Sequence, residues 1–244
     1  MKLNNKIAFV TGAAQGMGAA IVREFVAEGA IVYAADINEE AISASVAEYG
    51  DKARAVVCNV MDEASVQAAM QRISSEAGRL DVLVNNAGTG SVDSFLDTPV
   101  EHWDRVVGVN LKGSFLCARE AARLMVNGGI AGSIINFSST GAVTGEGPSH
   151  YVASKAGVMG LTRSLARELA PQKIRVNTIV PGPTDTPMMA GIPDEWMQSM
   201  VAAIPLGRLG QPAEIARAVV FLASDDASFV TGQNLTINGG SAFL

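Results

Sequence analysis

The 244-residue chain is poor in aromatic side chains: Phe, Trp and Tyr make up 5% of it, although 48% is hydrophobic. Its core must therefore be built from Val, Ile, Leu and Ala, which suits strands that are covered by helices on both faces. So few rings also argue against aromatic cages and against the stacking platforms that bind single-stranded nucleic acids.

Positive charge is also scarce. The chain has 18 Lys and Arg against 24 Asp and Glu, a net charge of −6, with no long run of either sign. Without a basic stripe to follow a phosphate backbone, nucleic acid is a poor candidate for a partner. No stretch approaches the ~18 uninterrupted apolar residues of a membrane span, and the start shows no cleavage site. These features predict a soluble, cytoplasmic protein with no membrane partner.

Cysteine and histidine are too few and too scattered for a metal centre. Cys58 and Cys117 lie far apart in apolar surroundings, with no C-x-x-C pair or histidine cluster. We interpret them as reduced, packed thiols. His102 and His150 show no metal-binding spacing, and we expect a helix-surface or capping role for both. The sequence thus predicts no metal site.

What the chain does have is a regular alternation of short apolar runs with amphipathic stretches. It begins with strands at KIAFVTG, IVYAADI, ARAVVCNV and LDVLVNN. It continues with helices near 101–127 and 150–170, strands at GSIINFSS and IRVNTIVPG, a helix at AEIARAVVFLAS and a strand at NLTING. The strands are continuously apolar, as in buried parallel sheets. The pattern predicts an α/β protein of one domain, 1–244: a Rossmann fold whose doubly wound, seven-stranded parallel sheet has helices on both faces.

One stretch, 183–210, breaks this rhythm with prolines, glycines and several methionines. Loops of this length in compact domains are usually functional or mobile. We interpret it as a short lid within the domain.

Tyr151 and Lys155 are four residues apart in a predicted helix, so their side chains share one face. A free phenol titrates near ~10, and a neighbouring ammonium favours the phenolate. Such a pair makes a base that can exchange protons near neutral pH. A lone pair at this spacing is more often two exposed side chains that share a helix turn, so its neighbours decide its meaning.

A Gly-rich turn, TGAAQGMG at 11–18, joins the first predicted strand to the first helix. Glycines there allow a tight turn and let backbone N–H groups approach a pyrophosphate at a helix N-terminus. The spacing is G-x-x-x-G-x-G, which differs from G-x-G-x-x-G. The residues that we assign to cofactor binding in this turn are Gly12, Gln15, Gly16, Met17 and Gly18.

Asp36 follows the second strand, where a carboxylate can accept hydrogen bonds from both ribose hydroxyls of an adenosine and would repel a 2'-phosphate. Its neighbours Gln15 and Ile37 carry no charge that could bind that phosphate. The sequence therefore favours NAD over NADP. Taken alone, Asp36 would be read as an ordinary strand-end or helix-cap aspartate.

Further motifs complete a known pattern: Asn86, Ala87 and Gly88 after the fourth strand, Asn110, Ser138, the Tyr151/Lys155 pair, and Pro181–Gly182 after the sixth strand. In this order, they resemble the short-chain dehydrogenase/reductase family over the whole chain, including its 3-oxoacyl-carrier-protein reductases and secondary-alcohol dehydrogenases.

The resemblance implies four catalytic residues. Tyr151 would be the general base for alcohol oxidation and the general acid for ketone reduction. Lys155 would bind the nicotinamide ribose and lower the pKa of the phenol. Ser138, selected over its neighbours Ser139 and Thr140 because it lies thirteen residues before Tyr151, would hold the substrate oxygen. Asn110 would order a water that links Lys155 to solvent.

The resemblance also implies the remaining cofactor contacts. Asn59 and Val60 stand where the family usually has Asp-Val, and the amide oxygen of asparagine can accept the same hydrogen bond from adenine. The loop after the sixth strand would hold the carboxamide and the pyrophosphate. With the residues already named, the implied cofactor-binding set is completed by Tyr151, Lys155, Pro181, Gly182, Thr184 and Thr186.

The substrate is read less directly. By analogy, the candidate substrate residues are Ser138, Thr140, Glu146, Tyr151, Met188, Met189 and Trp196. The lid's Met188, Met189 and Trp196 would suit a neutral, fairly apolar secondary alcohol, cyclic alcohol or diol and its ketone, or would equally pack on the protein itself.

Family members are commonly tetramers, so a homo-oligomer is expected. The small residues Ala153, Ala156, Gly157 and Gly160 would allow two helices to approach closely, although they could equally pack inside the subunit.

Two alternatives to an alcohol dehydrogenase stay open. One is a 3-oxoacyl-carrier-protein reductase, against which stand Asp36 and the lack of a basic cluster for an acidic carrier around RLMVNGGIAGS. The other is a non-catalytic NAD-binding protein, which would not need the serine and tyrosine at the hydride end.

Overall fold

A single seven-stranded parallel sheet forms the centre of the molecule in a computed structural model that describes residues 1–243. The strands are β1 (Ile7–Thr11), β2 (Ile31–Asp36), β3 (Ala53–Val57), β4 (Val82–Asn85), β5 (Ser133–Phe137), β6 (Arg175–Pro181) and β7 (Asn234–Ile237). Every residue of β1 and β5 is buried, as their continuous apolar runs require. The predicted fold class is confirmed.

The strand order is β3-β2-β1-β4-β5-β6-β7, with all neighbours parallel. The chain runs outward from β1 to β3 and then returns to place β4 on the other side of β1. Connections therefore diverge above the carboxyl ends of β1 and β4, which opens the crevice where such sheets bind ligands.

Helices cover both faces of the sheet. The α-helices are α1 (Gly16–Ala27), α2 (Glu39–Val46), α3 (Glu63–Ala77), α4 (Val100–Val107), α5 (Gly113–Asn127), α6 (Gly141–Thr144), α7 (Ser149–Leu169), α8 (Asp194–Ala202) and α9 (Pro212–Ala223). One aliphatic core lies between the sheet and α1, α2 and α9, and the second between the sheet and α3, α5 and α7. None of the helices within residues 1–243 is long and apolar enough to cross a bilayer.

The helix predicted near 101–127 is interrupted. A π-helical turn, Gly108–Lys112, separates α4 from α5. Hydrophobic periodicity does not reveal such a turn, because it places one extra residue in the helix without changing the apolar face. The turn carries Asn110.

The predicted lid, 183–210, contains a short 3-10 turn (Pro187–Met189) and α8, in which no residue is buried. Met188 is 62% exposed and Trp196 69% exposed. These two side chains are therefore mostly exposed to solvent. Closure over a substrate stays a prediction.

Candidate active site

Tyr151 and Lys155 lie in the first two turns of α7, near the end of β5. Lys155 is buried, and its Nζ donates a hydrogen bond to the carbonyl oxygen of Phe137 at 2.9 Å. The same Nζ lies 5.9 Å from the centre of the Tyr151 ring. The structure thus brings the two side chains together beside an inner strand of the sheet.

Burial dominates the proton affinities of this pair. It lowers the pKa of Lys155 to about 8. It also raises the pKa of the Tyr151 phenol, and a hydrogen bond from the Ser139 side chain opposes that rise. We expected the ammonium to lower the pKa of the phenol, but the ammonium donates to a backbone carbonyl here, and desolvation of the phenolate sets the direction.

Ser138 does not face the phenol, contrary to the thirteen-residue interval. Its hydroxyl is buried and donates to the backbone carbonyl of Lys155 at 2.8 Å. Side chains alternate between the two sides of extended backbone, so the next serine points the other way. Ser139 is the serine whose side chain acts on the phenol, since it opposes the rise in the pKa of Tyr151. Its Oγ accepts the Gly141 N–H at 3.2 Å, which leaves its own proton available to an oxygen atom at the phenol.

Asn110 is fully buried, and its side chain is hydrogen-bonded to the loop after β4. Its Oδ1 accepts the Thr89 N–H at 2.8 Å, and its Nδ2 donates to the Thr89 carbonyl and to Ser154 Oγ, both at 3.0 Å. Its backbone carbonyl accepts the Ser114 hydroxyl at 2.7 Å. Asn110 therefore joins the π-helical turn to the loop after β4 and to α7. The expected water relay stays a prediction.

The Gly-rich turn packs directly on the segment after β4. A Cβ atom on Gly18 would lie 2.0 Å from the Gly12 carbonyl oxygen, and one on Gly12 would lie 2.8 Å from the Cα of Ala87. Asn86 Nδ2 donates to the carbonyls of Thr11 and Gly12 at 3.0 and 2.9 Å. These contacts fix the start of α1, with its free N–H groups, at the mouth of the crevice.

Two more glycines connect this turn to the rest of the site. A Cβ on Gly88 would lie 3.3 Å from Lys155 Nζ, and one on Gly16 would lie 3.4 Å from the Cβ of Thr186. Thr184, in the same loop after β6, is buried and donates to the Gly182 carbonyl at 2.9 Å. The loop residues predicted to hold a cofactor thus face the Gly-rich turn.

Pro181 and Gly182 are held by neighbouring segments. The Pro181 carbonyl accepts the Thr140 N–H at 3.0 Å. A Cβ on Gly182 would lie 2.8 Å from the Cα of Asn238, so only glycine allows the backbones to approach this closely.

Asp36 ends β2 at the same edge of the sheet. Its Oδ1 accepts the Asn38 N–H at 3.1 Å and its Oδ2 accepts the Ala14 N–H at 3.3 Å, so the carboxylate is oriented by the Gly-rich turn. Ile37 is 68% exposed beside it, and Gln15 is exposed as well. A carboxylate placed here fits an adenosine ribose and disfavours a 2'-phosphate.

The remaining predicted cofactor residues are placed less favourably for side-chain contacts. Met17 packs its side chain against the core, which leaves only its backbone for phosphate binding. Val60 is buried. Asn59 Oδ1, the atom expected to accept a hydrogen bond from adenine, already accepts the Met61 N–H at 3.1 Å and keeps one lone pair.

Comparison with known proteins agrees with this geometry. The family model described as "Enoyl-(Acyl carrier protein) reductase" matches residues 12–242. The chain belongs to the short-chain dehydrogenase/reductase family. It is an oxidoreductase, and dehydrogenases that act on CH–OH groups are among its relatives.

Three curated relatives cover nearly the whole chain. A cis-4-hydroxycyclohexanecarboxylate dehydrogenase of Sinomonas cyclohexanicum is 45% identical, with 96% of each chain covered. A 3-oxoacyl-[acyl-carrier-protein] reductase of Thermotoga maritima is 41% identical over 98% of this chain and 99% of the relative. A 3alpha-hydroxysteroid dehydrogenase of Mediterraneibacter gnavus is 40% identical over 99% and 98%.

A solved structure has the same architecture. The short-chain type dehydrogenase/reductase from Mycobacterium marinum superimposes with a TM-score of 0.95, at 35% identity, over 100% of this chain and 98% of that one.

The substrate side of this dehydrogenase is open. Thr140 is half-buried, Glu146 is exposed, and Met189 is half-buried beside the exposed Met188 and Trp196. The structure does not bring the lid residues against Tyr151. A cleft of about 560 Å³ adjoins the start of α7, and its lining includes Asp93, Phe95, Gly147 and Val152.

By analogy with the family, residues near Ser91 and His150 were expected to line the substrate pocket, but sequence reasoning did not predict that the two side chains touch. His150, expected on a helix surface or in a cap, is fully buried beside Tyr151, and its Nε2 lies 2.5 Å from Ser91 Oγ. No motif identified this contact, because it joins residues that are 59 positions apart.

Proposed function

We propose that this chain is an NAD-dependent dehydrogenase/reductase that interconverts a fairly apolar secondary alcohol and its ketone. The observation that carries the proposal is the Tyr151 phenol with the buried Lys155 one helical turn along α7, its Nζ 5.9 Å from the centre of the phenol ring. Ser139 is the serine that favours the phenolate, since its side chain opposes the rise in the pKa of Tyr151. Ser139 takes the role first expected of Ser138. With Asn110 holding the adjacent loop, these residues form the catalytic set.

In the oxidative direction, the Tyr151 phenolate takes the proton of the substrate hydroxyl while Ser139 donates a hydrogen bond to the same oxygen. A nicotinamide cofactor, held by the Gly-rich turn at 11–18 and the loop after β6, would supply the hydride chemistry at the substrate carbon. Lys155, with a pKa of about 8, can pass the proton on near neutral pH. Reduction uses the same contacts in reverse, with the neutral phenol as the acid.

The cofactor preference rests on Asp36. Its carboxylate is oriented toward the crevice by two backbone N–H groups, and its neighbours Gln15 and Ile37 carry no positive charge. A 2'-phosphate would meet this carboxylate without a compensating cation. NAD therefore fits the site better than NADP.

The substrate class follows from the apolar mouth and from the relatives. Phe95, Leu96, Met188 and Trp196 are exposed on the segments after β4 and β6. Two of the relatives are named for cyclic secondary alcohols, one a hydroxycyclohexanecarboxylate and one a hydroxysteroid. We infer a cyclic or similarly apolar alcohol.

A second candidate is reduction of a 3-oxoacyl group on carrier protein, the activity for which the Thermotoga maritima relative is named. If that reaction uses NADPH, the Asp36 carboxylate disfavours this candidate, because it would repel the 2'-phosphate. A non-catalytic NAD-binding protein is a third candidate, which the Tyr151–Ser139 contact disfavours.

We also propose that the protein is a cytoplasmic homotetramer. Ala153, Ala156 and Gly160 are exposed along one face of α7, so they do not pack inside the subunit. Only Gly157 lies against its own chain, since a Cβ there would be 2.8 Å from Leu111. Sedimentation velocity measures the assembly directly.

The test is turnover of cyclic alcohols, hydroxysteroids and a carrier-linked 3-oxoacyl ketone with NAD(H) and NADP(H) side by side. We expect NAD-linked oxidation of at least one cyclic alcohol, its loss by at least about 1,000-fold in Tyr151→Phe, and a largely intact NADH affinity in that variant, because the phenol is one of many predicted cofactor contacts. Activity retained in Tyr151→Phe would refute the base. NADPH-linked reduction of the carrier substrate alone would favour the second candidate, and NADH binding without turnover the third.

A further inference from the structure

Two histidine contacts hold a short loop beside the catalytic tyrosine. His150 Nε2 lies 2.5 Å from Ser91 Oγ, and the Ser91 side chain helps to lower the pKa of Asp93, two residues along the loop. Asp93 Oδ2 lies 2.7 Å from His102 Nδ1. His150 is fully buried, whereas His102 is 42% exposed. We call these four residues the histidine row.

The surroundings of His150 fix the direction of its hydrogen bond. Within residues 1–243 its Nδ1 is buried and has no partner. A proton on Nδ1, in the neutral ring or in an imidazolium, would bury an unpaired N–H. The proton of the neutral ring therefore lies on Nε2, which donates it to Ser91 Oγ.

The row holds a short loop against Tyr151. Asn110 binds both backbone groups of Thr89. Gly90 follows, and a Cβ there would lie 3.7 Å from Cδ2 of the Tyr151 ring. Two further residues of this loop are held by the histidines: Ser91 by His150, and Asp93 by His102. Segment 89–93 is thus held at Thr89, Ser91 and Asp93, and Arg105 also donates to Thr89 and to the Gly90 carbonyl. Gly90 lies next to the ring of the general base.

We propose that His150 is a positioning residue that, through Ser91, fixes segment 89–93 against the Tyr151 ring and so sets the substrate-side wall of the site. The inference rests on the proposed function for its kinetic consequence. The arrangement of the row itself does not depend on that function. Val92, next to Ser91 and 97% exposed, would then present its side chain to the substrate from a fixed backbone.

The row is tested first without any substrate. The sequence contains only two histidines, so the ¹⁵N imidazole spectrum of the cofactor-free protein has two spin systems, which His102→Gln and His150→Gln assign. We expect His150 as the neutral Nε2–H tautomer. In Ser91→Ala this form should give way to a mixture of tautomers, whereas Thr98→Val, which removes a hydroxyl bonded to Ser94 in the same loop, should leave it unchanged. An Nδ1–H tautomer, or a His150 signal indifferent to Ser91→Ala, would overturn the row.

The positioning role is tested with the alcohol identified by turnover. Ser91→Ala should raise KM about tenfold, the upper end of what one hydrogen bond contributes, while kcat changes by less than about threefold and NADH affinity stays the same. Ser91→Thr, which keeps the hydroxyl, should restore KM. A lower kcat with unchanged KM, or no rescue by threonine, would contradict positioning of the substrate wall. Absence of turnover in the wild type would refute the proposed function and leave the tautomer result to decide the row.

Discussion

At the scale of single residues, the serines at the end of β5 show what spacing leaves undetermined. The interval to Tyr151 selected Ser138, but the turn between them has no fixed length, so a count along the chain does not settle which side of the backbone a residue faces. The structure settles it by the alternation of extended backbone. Ser138 supports α7 through the Lys155 carbonyl, and Ser139 meets the phenol.

Because the two serines have different partners, Ser139→Ala and Ser138→Ala should have different defects. Ser139→Ala should lower kcat about 100-fold, since it removes a hydrogen-bond donor to the reacting oxygen. Its stability should stay close to that of the wild type. Ser138→Ala should lose about 1 kcal/mol of unfolding free energy, because one buried hydrogen bond disappears, and should keep most of its kcat. Steady-state kinetics and urea unfolding of both variants check this; the reverse ranking of kcat would restore Ser138 to the site.

At the scale of elements, most strands follow from the sequence because they are short apolar runs bounded by polar turns. The apolar pattern does not predict the π-helical turn at Gly108–Lys112, where Asn110 binds Thr89, 21 residues away. The same holds for a polar layer inside the sheet. Its side chains on β4, β5, α7 and β6 are Asn85, Asn136, Thr162 and Thr178.

Asn136 is the centre of this layer. It accepts a hydrogen bond from Asn85 at 2.9 Å and donates one to Thr162 at 2.8 Å, and all three residues are buried. Asn136→Ala should therefore destabilise the fold by about 2–3 kcal/mol, since two buried hydrogen bonds vanish and a cavity remains. Urea unfolding measures the change, with the exposed Asn127→Ala as a matched control that should stay within about 0.5 kcal/mol. A cost as small as that of the control would show that the layer does not stabilise the sheet.

At the scale of the whole molecule, the sequence predicts the crevice and most residues around it, because parallel strands place their carboxyl ends at one edge of the sheet. It does not predict how distant segments pair there. The contacts of Gly16 with Thr186, of Gly88 with Lys155 and of Ser91 with His150 join parts of the chain that share no local pattern. Among these residues, Lys155 is the one whose amine is buried.

That buried ammonium makes the stability of the whole fold depend on pH. Unfolding returns Lys155 from a pKa of about 8 to its ordinary value of 10.5, so between these values the unfolded chain binds more protons than the folded one, and stability rises with pH. Below about pH 8 both states are charged, and the folded state carries a penalty of roughly 3 kcal/mol. Lys155→Met should therefore be more stable than the wild type at pH 7. The gain in unfolding free energy should be at most this penalty, reduced by the contribution of the lost hydrogen bond to Phe137. The gap should close toward pH 10.5. Urea unfolding of both cofactor-free proteins from pH 7 to 10 measures it; a gap that is constant with pH would mean that the amine is neutral, or solvated, throughout.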